Sequence, residues 1–162
     1  MLFNKNIEYK PQKPYNLRMK PTVAIACDHG GVHLKDFIKD SFQIKWIDLG
    51  TNDAKKSVDY PDYGYALAEA VAEGEAEFGI AICGSGIGIS IACNRHAMIR
   101  AALCTNTTMA KLSREHNNAN VLCLGARLTG DILALEIVKE FLETEFEGGR
   151  HEARVDKLTE GA

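Results

Sequence analysis

The run FGIAICGSGIGISIACN, residues 78–94, decides the fold. Its first six residues are apolar or glycine with no polar alternation, as a strand covered on both faces requires. CGSGIG at 83–88 supplies a glycine-rich turn, and GIGISIACN at 86–94 reads as the helix it opens. A strand that passes through such a turn into a helix is a building unit of a parallel α/β sheet. In that turn the backbone N–H groups of Gly84, Ser85, Gly86 and Gly88 can face an anion beside the positive end of the helix.

The same alternation continues on both sides. Apolar runs predict strands at 22–27, 45–50, 99–104 and 120–125, and helical patterns fall at 31–42, 61–74, 107–116 and 131–146. In the first helix Leu34, Phe37, Ile38 and Phe42 share one face. Five strands alternating with helices predict a three-layer α/β/α domain over 21–162, with a five-stranded parallel sheet and a C-terminal tail helix. Residues 1–20, with Pro11 and Pro14 among polar residues, are expected to form a flexible leader. That leader contains no apolar stretch long enough for a signal-peptide core or a membrane span, so a cytoplasmic location is expected.

The formal charge of -3, with no basic run interleaved with aromatics, argues against nucleic acid as a partner. The 5 cysteines lack any Cys-x-x-Cys pair and sit mostly in apolar runs, so reduced thiols are expected rather than disulfides.

Right-handed crossovers place the carboxyl ends of all strands on one edge, where ligands of such sheets bind. The residues that reach this edge are Asp28 and His29, Gly50 and Thr51, Cys83 to Gly88, Thr105, and Gly125 to Arg127. The connection 51–61 could wall a site there. A dinucleotide loop would need glycine where Ile89 stands and would follow the first strand. A turn built only for close helix packing remains open.

Cys83 lies where a helix start and a nest of amides would favour a thiolate. Cys27, Cys93, Cys104 and Cys123 read as buried structural thiols. Asp28 and His29 could exchange a proton or face a sugar hydroxyl and a phosphate. His29 and His33 are four apart, but no third His or Cys accompanies them at ligand spacing, so no metal is expected. His116 and Asn117 could do acid/base work or cap a helix. Arg127, Arg150 and Arg154 offer guanidinium forks suited to phosphate, the last two on one face of a tail that could reach a neighbouring subunit.

The segments ACDHGG (26–31), DYPDY (59–63), ICGSGIGISIACN (82–94), LSREHNNANVLCLGAR (112–127) and EGGRHEARV (147–155) together resemble the ribose-5-phosphate isomerase B family from about residue 22 onward. The resemblance implies sheet order 2-1-3-5-4, a homodimer or dimer of dimers with shared sites, and neither metal nor organic cofactor. It implies Cys83 as the enolisation base, Gly84 to Gly88 as an anion hole, Ser85 as a proton relay and Asn117 as an enediolate contact. Asp28 and His116 would open the sugar ring, Tyr60 would line the sugar, and His29, Arg127, Arg150 and Arg154 would hold the phosphate. One branch of that family uses glutamate at the position of Ile89 in place of the cysteine; here the cysteine is present and the glutamate absent. A hexose-phosphate isomerase, a sugar-phosphate-binding regulator and a redox-sensing Cys83 are the competing readings.

Overall fold

The strand predicted at 78–83 forms as β3 (Phe78–Cys83), and it runs through the centre of the sheet with every residue after Phe78 buried. The computed structural model describes residues 14–161. On one side of β3 lies β1 (Thr22–Cys27) and on the other β5 (Val121–Gly125), with β2 (Lys45–Asp48) and β4 (Ala101–Leu103) at the two edges. The order is β2-β1-β3-β5-β4 and every pairing is parallel, as expected.

Five crossing or flanking helices are α1 (Val32–Ser41), α2 (Tyr60–Ala72), α3 (Ile87–Cys93), α4 (Thr107–Asn117) and α5 (Asp131–Glu143). A sixth, α6 (Glu152–Glu160), follows a 3-10 turn at Gly149–His151. Successive side chains of a strand point to opposite faces, and here the two faces differ in size. Ile25, Ile80, Ile82, Leu122 and Leu124 pack under Leu34, Ile38, Leu135, Val138 and Phe141 of α1 and α5. Ala24, Ala26, Ala81 and Cys123 pack under Leu67, Val71, Ile89 and Cys93 of α2 and α3. The small residues let α2 and α3 lie close to the sheet: a Cβ on Gly79 would stand 2.6 Å from Leu67. Cys83 therefore ends its strand on the face where helix and sheet are closest.

Two elements are shorter than their apolar runs. In the segment 99–104 only Ala101–Leu103 pairs, because Arg100 turns its amide to the Asn120 side chain at 2.8 Å. The helix predicted to 146 stops at Glu143, where Thr144 takes an extended backbone and its hydroxyl donates to the Glu140 carbonyl at 2.7 Å. The leader expected over 1–20 lies mostly outside the described residues. Of its last seven, Tyr15 stacks on Phe42 with ring centroids 5.0 Å apart, and Leu17 is buried in the core.

From β1 the chain moves outward to β2 and then returns past β1 to β3. This reversal opens a crevice between the carboxyl ends of β1 and β3, the place where such sheets bind ligands. Asp28 and Cys83 flank it.

Candidate active site

Asp28 follows β1 in extended conformation, and its Oδ1 accepts the Gly30 N–H at 2.9 Å, which fixes the carboxylate at the crevice. Its own amide donates to the Ile82 carbonyl at 3.2 Å and so ties the β1 end to β3. The next residue, His29, accepts the Val58 N–H at Nδ1, 3.2 Å away. An imidazole that accepts there carries its proton on Nε2, so His29 presents a donor at its far nitrogen.

Cys83 is buried, and the Gly86 N–H points at its sulfur at 3.1 Å. Gly86 has φ 77, a left-handed conformation that glycine adopts without a side-chain clash. The turn of β5 into α5 locks the loop from behind, with the Ala126 amide on the Cys83 carbonyl at 2.9 Å and the Arg127 amide on the Gly84 carbonyl at 3.0 Å. The amides of Gly84 and Ser85 have no acceptor among the described residues. The other cysteines differ in setting. Burial pushes the Cys27 thiol up to about 12 and that of Cys104 up to about 11. A hydrogen bond with Cys93, together with burial, raises Cys123 well above the ordinary thiol range. These three are proton-holding thiols of the core.

One cavity of about 310 Å³ gathers Asp28, Tyr60, Cys83, Gly84, Ser85, Gly88, Arg127 and Leu128. Seven of these eight were singled out from the sequence. Leu128, largely exposed beside Arg127, was not, since a lone leucine in a turn carries no chemical signal. The Arg127 guanidinium lies 3.5 Å from where a Gly84 Cβ would stand. The Tyr60 ring roofs the loop so closely that a Cβ on Gly88 would meet its Cζ at 2.5 Å. Gly88→Ala should therefore push the ring or the loop aside and lower kcat/KM by about 10-fold to 100-fold. Steady-state kinetics on the folded variant check this, and an unchanged kcat/KM would show that the tyrosine roof is dispensable.

Of the other predicted residues, His29 and Gly86 adjoin this cavity next to Asp28 and within the Cys83 loop, whereas His116, Asn117, Arg150 and Arg154 lie elsewhere. α4 runs back from the carboxyl end of β4 to the amino end of β5, so His116 and Asn117 in its last turn sit at the opposite edge of the sheet. Eleven residues of helix separate the edges, roughly 16 Å. There His116 stacks on His151 with centroids 4.3 Å apart and planes 13° apart. His151, its neighbour Arg150 and, one turn on, Arg154 join this second group through the 3-10 turn and α6. Asn117 lines a separate hollow with His96, Arg100 and Leu158. Burial, reinforced by Coulombic repulsion from the neighbouring His116 and Arg150, holds the His151 imidazole below the usual histidine range. His151 lay inside a quoted segment of sequence but was assigned no role, because stacking between α4 and the tail is a tertiary event.

His116, Glu147 and His151 place potential ligand atoms within 4.8 Å of one another. The two rings are nearly parallel, so their lone pairs run side by side instead of converging as a tetrahedral ion requires.

A thiol, a carboxylate and a glycine loop gathered at the switch point of a parallel sheet are the site of an α/β enzyme. The family model described as Ribose/Galactose Isomerase matches residues 23–158, and the chain belongs to that family; it is an isomerase. It is 46% identical over 140 residues to ribose-5-phosphate isomerase B of Escherichia coli, covering 85% of this chain and 93% of that protein. Among solved structures, ribose 5-phosphate isomerase of Thermotoga maritima matches with TM-score 0.85 at 48% identity over 88% of this chain and 99% of that one. The enzyme of Mycoplasma genitalium, solved with bound ribulose-5-phosphate, matches with TM-score 0.82 at 40% identity over 86% and 95%. No helix among the described residues is long and apolar enough to cross a membrane.

Proposed function

We propose that this protein interconverts ribose 5-phosphate and ribulose 5-phosphate through an enediolate, without a metal or an organic cofactor. Asp28, with His116, opens the furanose ring. The Cys83 thiolate then takes the proton from carbon 2 of the open aldose, and the electrons left behind form the carbon 1–carbon 2 double bond and an oxyanion on oxygen 1. Amides of the Gly84 to Gly88 loop stabilise that charge, Ser85 relays a proton between the two oxygens, and Cys83 returns its proton to carbon 1 to give the ketose. His29 donates through Nε2 to the phosphate, alongside Arg127, Arg150 and Arg154. Tyr60 lines the sugar and Asn117 contacts the enediolate.

The observation that carries this reading is the cavity in which Cys83 and Asp28 face the glycine loop. The separation of this group from His116, Asn117, Arg150 and Arg154 supports a homodimer in which the far edge of one copy completes the site of the other. In the dimer each polar group meets the other across an apolar face, for which exposed Ile87, Ile91 and Leu158 are suited.

The test is conversion of ribose 5-phosphate by purified protein with chelator present, beside galactose 6-phosphate and allose 6-phosphate. Turnover of the pentose at an undiminished rate is expected. Loss of activity on chelation would overturn the metal-free chemistry, and faster turnover of a hexose phosphate would replace the substrate.

A further inference from the structure

Lys35 on α1 is fully buried, at 0% exposure, which is rare for an ammonium group unless it is paired. Its three donors are all engaged. Asp48 at the end of β2 lies 3.0 Å away, the Thr51 carbonyl 3.0 Å and the Asn52 side-chain oxygen 2.6 Å. Lys39 also reaches Asp48, at 2.6 Å, but among the described residues it makes no hydrogen bond to the loop beyond it. Burial pushes the Asp48 carboxyl up, yet hydrogen bonds from Lys39, Lys35 and the Gly50 amide outweigh it and hold the group below the usual carboxylate range. None of these residues lines the Cys83 cavity, and the mechanism above gives Lys35 no task.

Its partners mark where it acts. Thr51 and Asn52 begin the connection between β2 and α2, whose far end brings the Val58 amide to His29 and then Tyr60 over Gly88. The turn at the root of this loop is built on Thr51: its hydroxyl accepts the Asp53 N–H at 3.2 Å, and Asp53 in turn accepts the amides of Lys55 and Lys56. At Gly50 the chain crosses so close that a Cβ there would stand 2.7 Å from the Cys27 nitrogen and 3.2 Å from Cδ of Lys35. The helix that carries Lys35 is headed by the Asp28–Gly31 turn. One helix thus bears the residues that face substrate at its head and grips the root of the loop that covers them.

We propose that Lys35 is a positioning residue: it pegs the 51–59 loop to α1 so that His29 and Tyr60 are held at the substrate cavity. This assignment rests on the isomerase reading for its kinetic consequence. Its mechanical part does not, because loop residues Lys55 and Lys56 are exposed and offer trypsin two cutting sites.

The experiment compares wild type with Lys35→Met, Asn52→Ala and Lys39→Met, well below each melting temperature. Lys35→Met keeps the aliphatic stem but leaves Asp48, Thr51 and Asn52 without their donor. Cleavage after Lys55 and Lys56, followed by mass spectrometry, should speed up by about 10-fold or more as the loop opens locally. On ribose 5-phosphate, KM should rise and kcat/KM fall by about 10-fold to 100-fold, as for a small displacement of substrate-holding groups. Asn52→Ala should shift both readouts in the same direction by less, and it carries the test if Lys35→Met fails to fold. Lys39→Met removes an Asp48 partner without touching the loop and should leave both readouts at wild-type values. A Lys35→Met protein that melts lower but keeps wild-type cleavage and kinetics would make Lys35 an ordinary core residue and overturn the proposal. If wild type itself converts no ribose 5-phosphate, the isomerase reading falls, while the cleavage comparison still decides the peg.

Discussion

Replacing Cys83 with alanine should lower kcat on ribose 5-phosphate by about 1,000-fold, within the range that a positioned general base contributes, and leave KM close to wild type. The phosphate and sugar contacts assigned to other residues are untouched, so binding should persist. Only one sulfur is removed at the end of β3, but the buried Gly86 amide loses its acceptor, so a stability loss of about 1–3 kcal/mol should accompany the loss of kcat. Cys83→Ser separates the thiolate from mere occupancy of the position. It restores a hydrogen-bond acceptor for Gly86, but an alcohol ionises far less readily than a thiol, so it should be nearly as inactive as alanine. Retention of kcat within 10-fold of wild type in either variant would remove Cys83 from proton transfer and leave Asp28 as the carboxylate to test next.

Most of the sheet was legible because a strand covered on both faces must be apolar throughout, and FGIAIC or VLCLG admits no other reading of comparable length. The edge strand β4 was overestimated at 99–104 for the same reason: apolarity reports burial and is silent on pairing, and Ile99 is buried without being in the ladder. The cavity at β1 and β3 was also legible, since Asp28 and Cys83 stand at strand ends whose location follows from the handedness of the crossovers. Lys35 was hidden. On a helix whose apolar face was read as Leu34, Phe37, Ile38 and Phe42, a lysine defaults to solvent, and only the arrival of Asp48, Thr51 and Asn52 from a distant segment buries it. The stack of His116 on His151 is of the same kind, joining α4 to a tail more than thirty residues later.

The far-edge position of His116 makes a second large effect testable without a structure of the dimer. Cys83→Ala and His116→Ala should each be nearly inactive alone, for each damages both sites of the proposed homodimer. When the two variants are co-expressed, or dissociated and reassembled together, half of the dimers should be hybrids. In a hybrid, one site receives both replacements and the other receives neither. Random assembly should therefore restore about one quarter of wild-type activity, far above the sum of the parents. Cys83→Ala mixed with Ser85→Ala is the control. Both residues belong to the same loop of one chain, so every hybrid site keeps one replacement, and no rescue should follow. Rescue by His116→Ala without rescue by Ser85→Ala would place the two groups on different subunits. Failure of both mixtures, with hybrids verified by mass, would overturn the shared site and leave His116, fixed in the last turn of the 11-residue α4, without its ring-opening role.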